Sequence, residues 1–234
     1  MQPGARVVEV GAGFGSLTVA IAAAGAADVL AIEFDRGLLP ALEEIVAPWP
    51  AVRVLHADAT KLDWPATLDD GSWVLVANLP YNVGTSIVLD VLAQAPMVGR
   101  LVVMVQREVG ERLAAAAGED AYGAVSVRVA YRATAKVVRR VPPEVFWPRP
   151  KVGSVIVRLD RLDAPPVDVD EARLWRVVGE AFAQRRKTMR NALRRLELDA
   201  GAADELLARC GIAPAARAEE LSLADFARLA EAMP

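Results

Sequence analysis

The chain has 234 residues, 54% of them hydrophobic, with 27 Lys and Arg against 30 Asp and Glu for a net charge of −3. That is enough apolar material for one large domain or a large one and a small one, and its apolar runs, such as Val98 to Gln106, fall short of the roughly 18–20 residues that cross a bilayer. One cysteine, Cys210, excludes an internal disulfide, and one histidine, His56, supplies neither a metal-ligand cluster nor a histidine-based triad. With no signal-peptide pattern in the opening residues, the expectation is a cytoplasmic protein that needs no membrane and no metal.

Short apolar runs at Val7–Val10, Val29–Ile32, Val52–Leu55, Val74–Ala77 and Leu101–Val105 alternate with helix-like stretches at Ser16–Ala24, Arg36–Val46, Thr85–Ala93 and Glu108–Ala117. This alternation predicts an α/β fold with a mostly parallel, Rossmann-like sheet. After Gly123 the rhythm changes. Val125–Arg132 and Val152–Leu159 read as two further strands, joined by the proline-rich Val141–Pro150. A polar linker at Asp160–Asp170 then leads into a segment, Glu171 to Met233, that reads as helices only. The predicted division is residues 1–160 as a catalytic domain and 161–234 as a small all-helical domain.

The turn Gly11-Ala12-Gly13-Phe14-Gly15-Ser16 joins a strand to a helix, where glycines let a ligand approach the backbone and the helix start offers free amides. A nicotinamide-binding turn wants Gly or Ala where Ser16 stands. The G-x-G-x-G form instead resembles the first motif of methyltransferases dependent on S-adenosylmethionine, and Glu9 just before it fits that motif. At the end of the second strand Glu33 is placed to accept from a ribose diol, with Asp35 as cap of the following helix. At the end of the third strand Asp58 is placed to reach an adenine amino group of that cofactor, with Ala59 supplying backbone. Ligands of open α/β sheets bind at these carboxyl ends.

The fourth strand ends in Asn78-Leu79-Pro80-Tyr81, which resembles the (Asp/Asn/Ser)-Pro-Pro-(Tyr/Phe) motif of methyltransferases acting on planar amino nitrogens. An aromatic amine is a poor nucleophile because its lone pair is delocalised into the ring. Acceptors at the Asn78 side chain and the Leu79 carbonyl would draw its hydrogens toward a pyramidal geometry, while Tyr81 stacks on the base. Positioning and charge stabilisation then supply most of the acceleration without a strong general base.

Leu79 in place of the first proline, Gln106-Arg107-Glu108-Val109, Ala121-Tyr122-Gly123, Phe146-Trp147-Pro148-Arg149-Pro150-Lys151-Val152-Gly153-Ser154 and Phe182-Ala183-Gln184-Arg185-Arg186-Lys187-Thr188-Met189-Arg190-Asn191 extend the likeness over almost the whole chain. It resembles the KsgA-type dimethyltransferases of small-subunit ribosomal RNA. The resemblance implies transfer of two methyl groups from S-adenosylmethionine to the exocyclic N6 of each of two adjacent adenines near the 3′ end of 16S rRNA during ribosome assembly. It implies Glu9, Gly11, Gly13, Glu33, Asp58, Ala59 and Asn78 as cofactor positions, Asn78, Leu79 and Tyr81 as the catalytic turn, and Phe146 as the second aromatic flanking a flipped base. Family members also begin with a basic segment of some tens of residues ahead of the first strand. Met1 here lies a few residues before that strand, and weaker cofactor binding than in a complete relative is expected.

The stretch Gln184–Arg195 holds six cations and no acid, on a chain whose acids concentrate elsewhere. Arg186, Arg190 and Arg194 follow helical spacing and are expected to share one face, with Arg185 and Lys187 beside them. Together with Arg139, Arg140 and Lys151 they make a candidate phosphate-binding track on a protein expected to be a monomer whose partner is the small ribosomal subunit. Two other readings remain: a methyltransferase for adenines of large-subunit RNA, and an assembly factor that binds ribosomal RNA without efficient catalysis.

Overall fold

A computed structural model of the chain describes residues 3–184 and 187–233. Its first part is built from β1 (Arg6–Val10), α1 (Ser16–Ala23), β2 (Asp28–Glu33), α2 (Leu39–Val46), β3 (Val52–His56), a single turn α3 (Trp64–Thr67), β4 (Trp73–Asn78), α4 (Gly84–Gln94), β5 (Val98–Gln106) and α5 (Arg107–Ala114). The strands are rich in Val, Leu and Ile because a parallel sheet is covered on both faces; Val7, Val8, Val29, Ala31, Leu75 and Leu101 are all buried.

The sheet has seven strands in the order β3-β2-β1-β4-β5-β7-β6, where β6 is Ala133–Val141 and β7 is Ser154–Arg161. β1 to β5 run parallel, and β7 pairs antiparallel with both β5 and β6. Strand order reverses between β1 and β4, so a crevice opens beyond their carboxyl ends. The register aligns those ends closely: Val10 pairs with Ile32 and Ala77, Glu33 with His56, and Asn78 with Met104.

Arg161, the last residue of β7, closes the far end of α4. Its guanidinium donates to the carbonyls of Val91, Leu92, Ala95 and Val98 at 2.8–3.0 Å. A cation and several donors thus meet the unpaired carbonyls and negative dipole of a helix C-terminus.

The chain divides into two compact units, residues 1–110 with 133–162, and residues 111–132 with 163–234. The segment 111–132 therefore packs with the C-terminal helices, although sequence reading placed it in the catalytic part. Within that unit lie α6 (Ala124–Ala130), α7 (Glu171–Ala183), α8 (Met189–Arg195), α9 (Ala200–Arg209) and α10 (Leu223–Ala232). Tyr122 explains the grouping: its ring meets Phe182 edge-on at 5.9 Å, and its hydroxyl donates to the Leu221 carbonyl at 2.9 Å. Phe182 in turn packs on Phe226, so two of the motifs that carry the family resemblance build the core of this unit.

Two expectations about local structure are corrected. Val125–Arg132 is not a strand: Ala124–Ala130 forms α6, and the strand is Ala133–Val141. The alternation Val125, Val127, Val129 and Tyr131 imitates a strand, but the helical spacing of Val127 and Tyr131 is what the helical core buries. The basic run is not one helix either. α7 stops at Ala183 with Gln184 out of helical conformation (φ −136°, ψ 75°), and α8 restarts at Met189, with Thr188 bridging to Arg217. Arg185 and Arg186 lie outside the described residues, so the expected face from Arg186 through Arg190 to Arg194 reduces to Arg190 and Arg194 on α8.

Candidate active site

Four strand ends converge on a cavity of about 400 Å³, a size that suits a nucleoside-sized ligand. Gly11, Glu33, Asp58 and Ala59 line it, as does Asn82, which follows the Asn78–Tyr81 motif, and so do Phe34, Thr60 and Ile87, which the sequence did not mark as cofactor positions. The apolar walls are Val10, Ile32, Phe34, Val83 and Ile87. A larger groove of about 1050 Å³ opens at the amino ends of β1, β4 and β5, beside Arg6, Trp73 and Arg100. It is the wrong end of a parallel sheet for a ligand and meets neither the glycine turn nor Asn78.

The glycine turn has a reason to be glycine. Gly11 and Gly13 both take positive φ, +75° and +58°, where a side chain strains the backbone. Gly11 also faces the catalytic turn: a Cβ there would sit 3.7 Å from the Asn78 carbonyl oxygen and 3.8 Å from Pro80 Cδ. The pairing of β1 with β4 thus brings two motifs separated by some seventy residues of chain against each other.

Glu33 is buried, and its two oxygens accept from the Gly13 and Asp35 amides at 2.7 Å each. The carboxylate therefore holds the glycine turn in shape, and each oxygen keeps a lone pair for a further donor. Asp35 does not cap α2. It accepts from the Gly37 amide at 2.8 Å and shapes the turn that precedes the helix, which begins only at Leu39 behind Leu38.

Asp58 Oδ1 accepts from the Thr60 hydroxyl at 2.6 Å and the Thr60 amide at 3.0 Å. These bonds, with the Lys61 ammonium 3.5 Å from Oδ2, hold its carboxyl below the usual range, and Asp58 lines the cavity. Glu9 lies beneath the glycine turn and does not line the cavity. It is 1% exposed and its Oε2 has no hydrogen-bond partner among the described residues. Burial pushes its carboxyl up to about 7, the Thr18 hydroxyl opposes that, and the charge of Glu33 adds to it.

Asn78 ends β4 exposed, while Leu79 is 1% exposed and its amide donates to the Met104 carbonyl at 3.1 Å. Anchoring Leu79 fixes the turn; Asn78 is exposed beside it, and neither Asn78 nor Gly13 is among the residues that line the cavity. Tyr81 is half-buried, and its hydroxyl lies 2.8 Å from Ser154 Oγ. Ser154 is 2% exposed at the start of β7, paired with Gln106 and Val141. Its chemical partner is 73 residues away, so sequence spacing alone could not have marked it. Phe146 is half-buried, immediately after a 3₁₀ turn at Pro143–Val145.

The predicted cations are distributed over both units. Arg139, Arg140 and Lys151 are exposed on and beside the β6–β7 hairpin. On α8, Arg190 pairs with Asp204 at 2.8 Å and Arg195 with Glu180 at 2.6 Å. A polar hollow of about 370 Å³ remains between Gln184, Lys187, Asn191, Arg194 and Arg195. Acids from neighbouring helices thus balance part of a run that contains none itself.

Residues 1–233 match the model of a protein family described as ribosomal RNA adenine dimethylase. A protein of Acidothermus cellulolyticus named ribosomal RNA small subunit methyltransferase A is 46% identical over 232 residues, covering 97% of this chain and 79% of the relative. Its namesake in Paracoccus denitrificans is 44% identical over 234 residues, covering 98% of this chain and 82% of the relative. The fold is shared with a crystal structure of a dimethyladenosine transferase from Plasmodium falciparum, at TM-score 0.80 and 23% identity over 95% of this chain and 87% of that one. It is also shared with the 23S rRNA methyltransferase ErmE, at TM-score 0.73 and 24% identity over 99% of this chain and 92% of that one.

Proposed function

The chain belongs to the ribosomal RNA adenine dimethylase family, and from that premise we propose how its own residues serve the reaction. It is a methyltransferase of the type that uses S-adenosylmethionine, and it dimethylates adenine in 16S rRNA. The finer reading is that each of two adjacent adenines near the 3′ end receives two methyl groups at its exocyclic N6, within the assembling small subunit.

The donor set fits S-adenosylmethionine: a cavity of nucleoside size, Glu33 for a ribose diol, Asp58 for an adenine amine, and a turn with glycine at 11, 13 and 15. When bound, this cofactor supplies an electrophilic methyl on a sulfonium that is already a good leaving group. The chain's part is to present the nucleophile. The Asn78 side-chain oxygen and the Leu79 carbonyl accept the hydrogens of the target amine and free its lone pair, while Tyr81 and Phe146 hold the extruded base between rings. No proton need leave before attack; the methylated nitrogen sheds its proton to water afterwards, so a dedicated base is unnecessary and positioning carries the rate.

The observation that carries this reading is that Gly11 and Pro80 line one cavity, with room at Gly11 for a Cβ only 3.7 Å from the Asn78 carbonyl oxygen, so the cofactor turn and the amine-gripping turn lie side by side. Binding of labelled S-adenosylmethionine tests it. Asp58→Asn and Glu33→Gln are expected to weaken binding while Asn78→Ala chiefly lowers turnover; unchanged binding in both carboxylate variants would refute the cofactor assignment. Transfer to large subunits in preference to small ones would refute the substrate.

A further inference from the structure

Among the described residues, large apolar side chains stand exposed at eight positions, and five of them, Val137, Val138, Val145, Trp147 and Val152, lie on or beside the β6–β7 hairpin. Trp147 is 98% exposed, and the ring pairs found among the described residues do not include it. The hydrophobic effect opposes leaving an indole in water, and single exposed apolar residues are ordinary whereas a cluster marks an interaction surface.

The surroundings of that cluster select the partner. Residues 136–152 contain five cations, Lys136, Arg139, Arg140, Arg149 and Lys151, against one acid, Glu144, which pairs with Arg149. β6 is an edge strand with a register shift between Val137 and Arg139, and Lys136 through Arg140 are all exposed. Prolines at 142, 143, 148 and 150 stiffen the connection. An aromatic face among cations on a stiff arm is the arrangement that holds a single-stranded nucleic acid, with stacking on the base and charge on the backbone. A second copy of this chain would meet the same cations and be repelled, and a lipid surface would call for a longer apolar element.

We propose that Trp147 is a stacking platform for an unpaired RNA base flanking the methylated position, with Arg139, Arg140 and Lys151 on its backbone. The inference rests on the reading of the chain as an RNA methyltransferase and adds a contact beyond the target base itself. Phe146, one residue earlier, is half-buried and serves the target base; Trp147 faces solvent and serves its neighbour.

Intrinsic fluorescence gives a readout independent of methyl transfer. Of the five tryptophans, Trp64 and Trp73 are buried and Trp49 and Trp175 half-buried, so a short single-stranded RNA is expected to quench Trp147 selectively, and the quench is lost in Trp147→Phe. Trp147→Ala is expected to weaken binding to unmodified small subunits about tenfold, the worth of one stacked base, and Trp147→Phe to restore most of it. Quenching that persists in Trp147→Phe, or equal subunit binding by Trp147→Ala and the wild type, overturns the proposal, as does self-association abolished by Trp147→Ala. If RNA quenches Trp147 and the wild type transfers no methyl group to small subunits, the stack stands and the assigned reaction falls.

Discussion

Glu9→Gln tests the electrostatics beneath the glycine turn. Glu9 is buried with an unpartnered Oε2, and its carboxyl is raised from 4.5 to about 7 chiefly by burial. The folded state therefore holds a proton on Glu9 in a range where the unfolded chain has released it. The stability this contributes is complete below about 4.5, declines as pH rises, and is lost once pH passes about 7. The displacement corresponds to about 3 kcal/mol at pH 8. Glutamine is isosteric and does not titrate, so the variant should match the wild type near pH 4 and exceed it by about 3 kcal/mol at pH 8. Urea unfolding of both proteins from pH 4 to 8 measures this, because every other carboxylate contributes alike and cancels in the difference. A difference that is flat with pH, or that favours the wild type at pH 8, would refute the reasoning. A cationic ligand above the turn favours the ionised carboxylate, so S-adenosylmethionine affinity should rise between pH 6 and 8 in the wild type and stay level in Glu9→Gln.

Tyr81→Phe and Ser154→Ala should each lower kcat/KM on small subunits about fivefold, the worth of one hydrogen bond. The double variant should cost no more than either single one, since all three remove the same bond; additive losses in steady-state assays would contradict a shared contact. Arg161→Ala strips the donors from the end of α4 and should cost about 2–4 kcal/mol in urea unfolding. Gly110→Ala should cost about 1–3 kcal/mol by overpacking, because a Cβ there would lie 2.1 Å from Val155 Cγ2; an unchanged unfolding midpoint would show that β7 yields. Tyr122→Phe should cost about 1–2 kcal/mol by leaving the Leu221 carbonyl unpaired, read by thermal unfolding.

The residues that sequence reading brought together are those whose order along the chain mirrors the order of strand ends. Gly11, Glu33, Asp58 and Asn78 each follow a short apolar run, and a parallel sheet places such positions at one edge whatever else the chain does. What escaped depends on distant partners. Ser154 matters through a hydroxyl 73 residues away, and Phe34 and Ile87 become walls of one cavity only once the sheet and its helices have assembled. The stretch 125–132 misled because β-branched residues alternate there, while β6 itself, Ala133–Val141, exposes five consecutive residues and so lacks an alternating face. The basic run misled because helical spacing was read across Thr188, where the chain turns and bridges to Arg217.

Small ribosomal subunits lacking the modification can be incubated with labelled S-adenosylmethionine and digested to nucleosides. Dimethyladenosine is expected from the wild-type chain, and a loss of about a hundred- to a thousandfold in kcat with Asn78→Ala. Dimethyladenosine formed at the wild-type rate by Asn78→Ala would contradict that expectation.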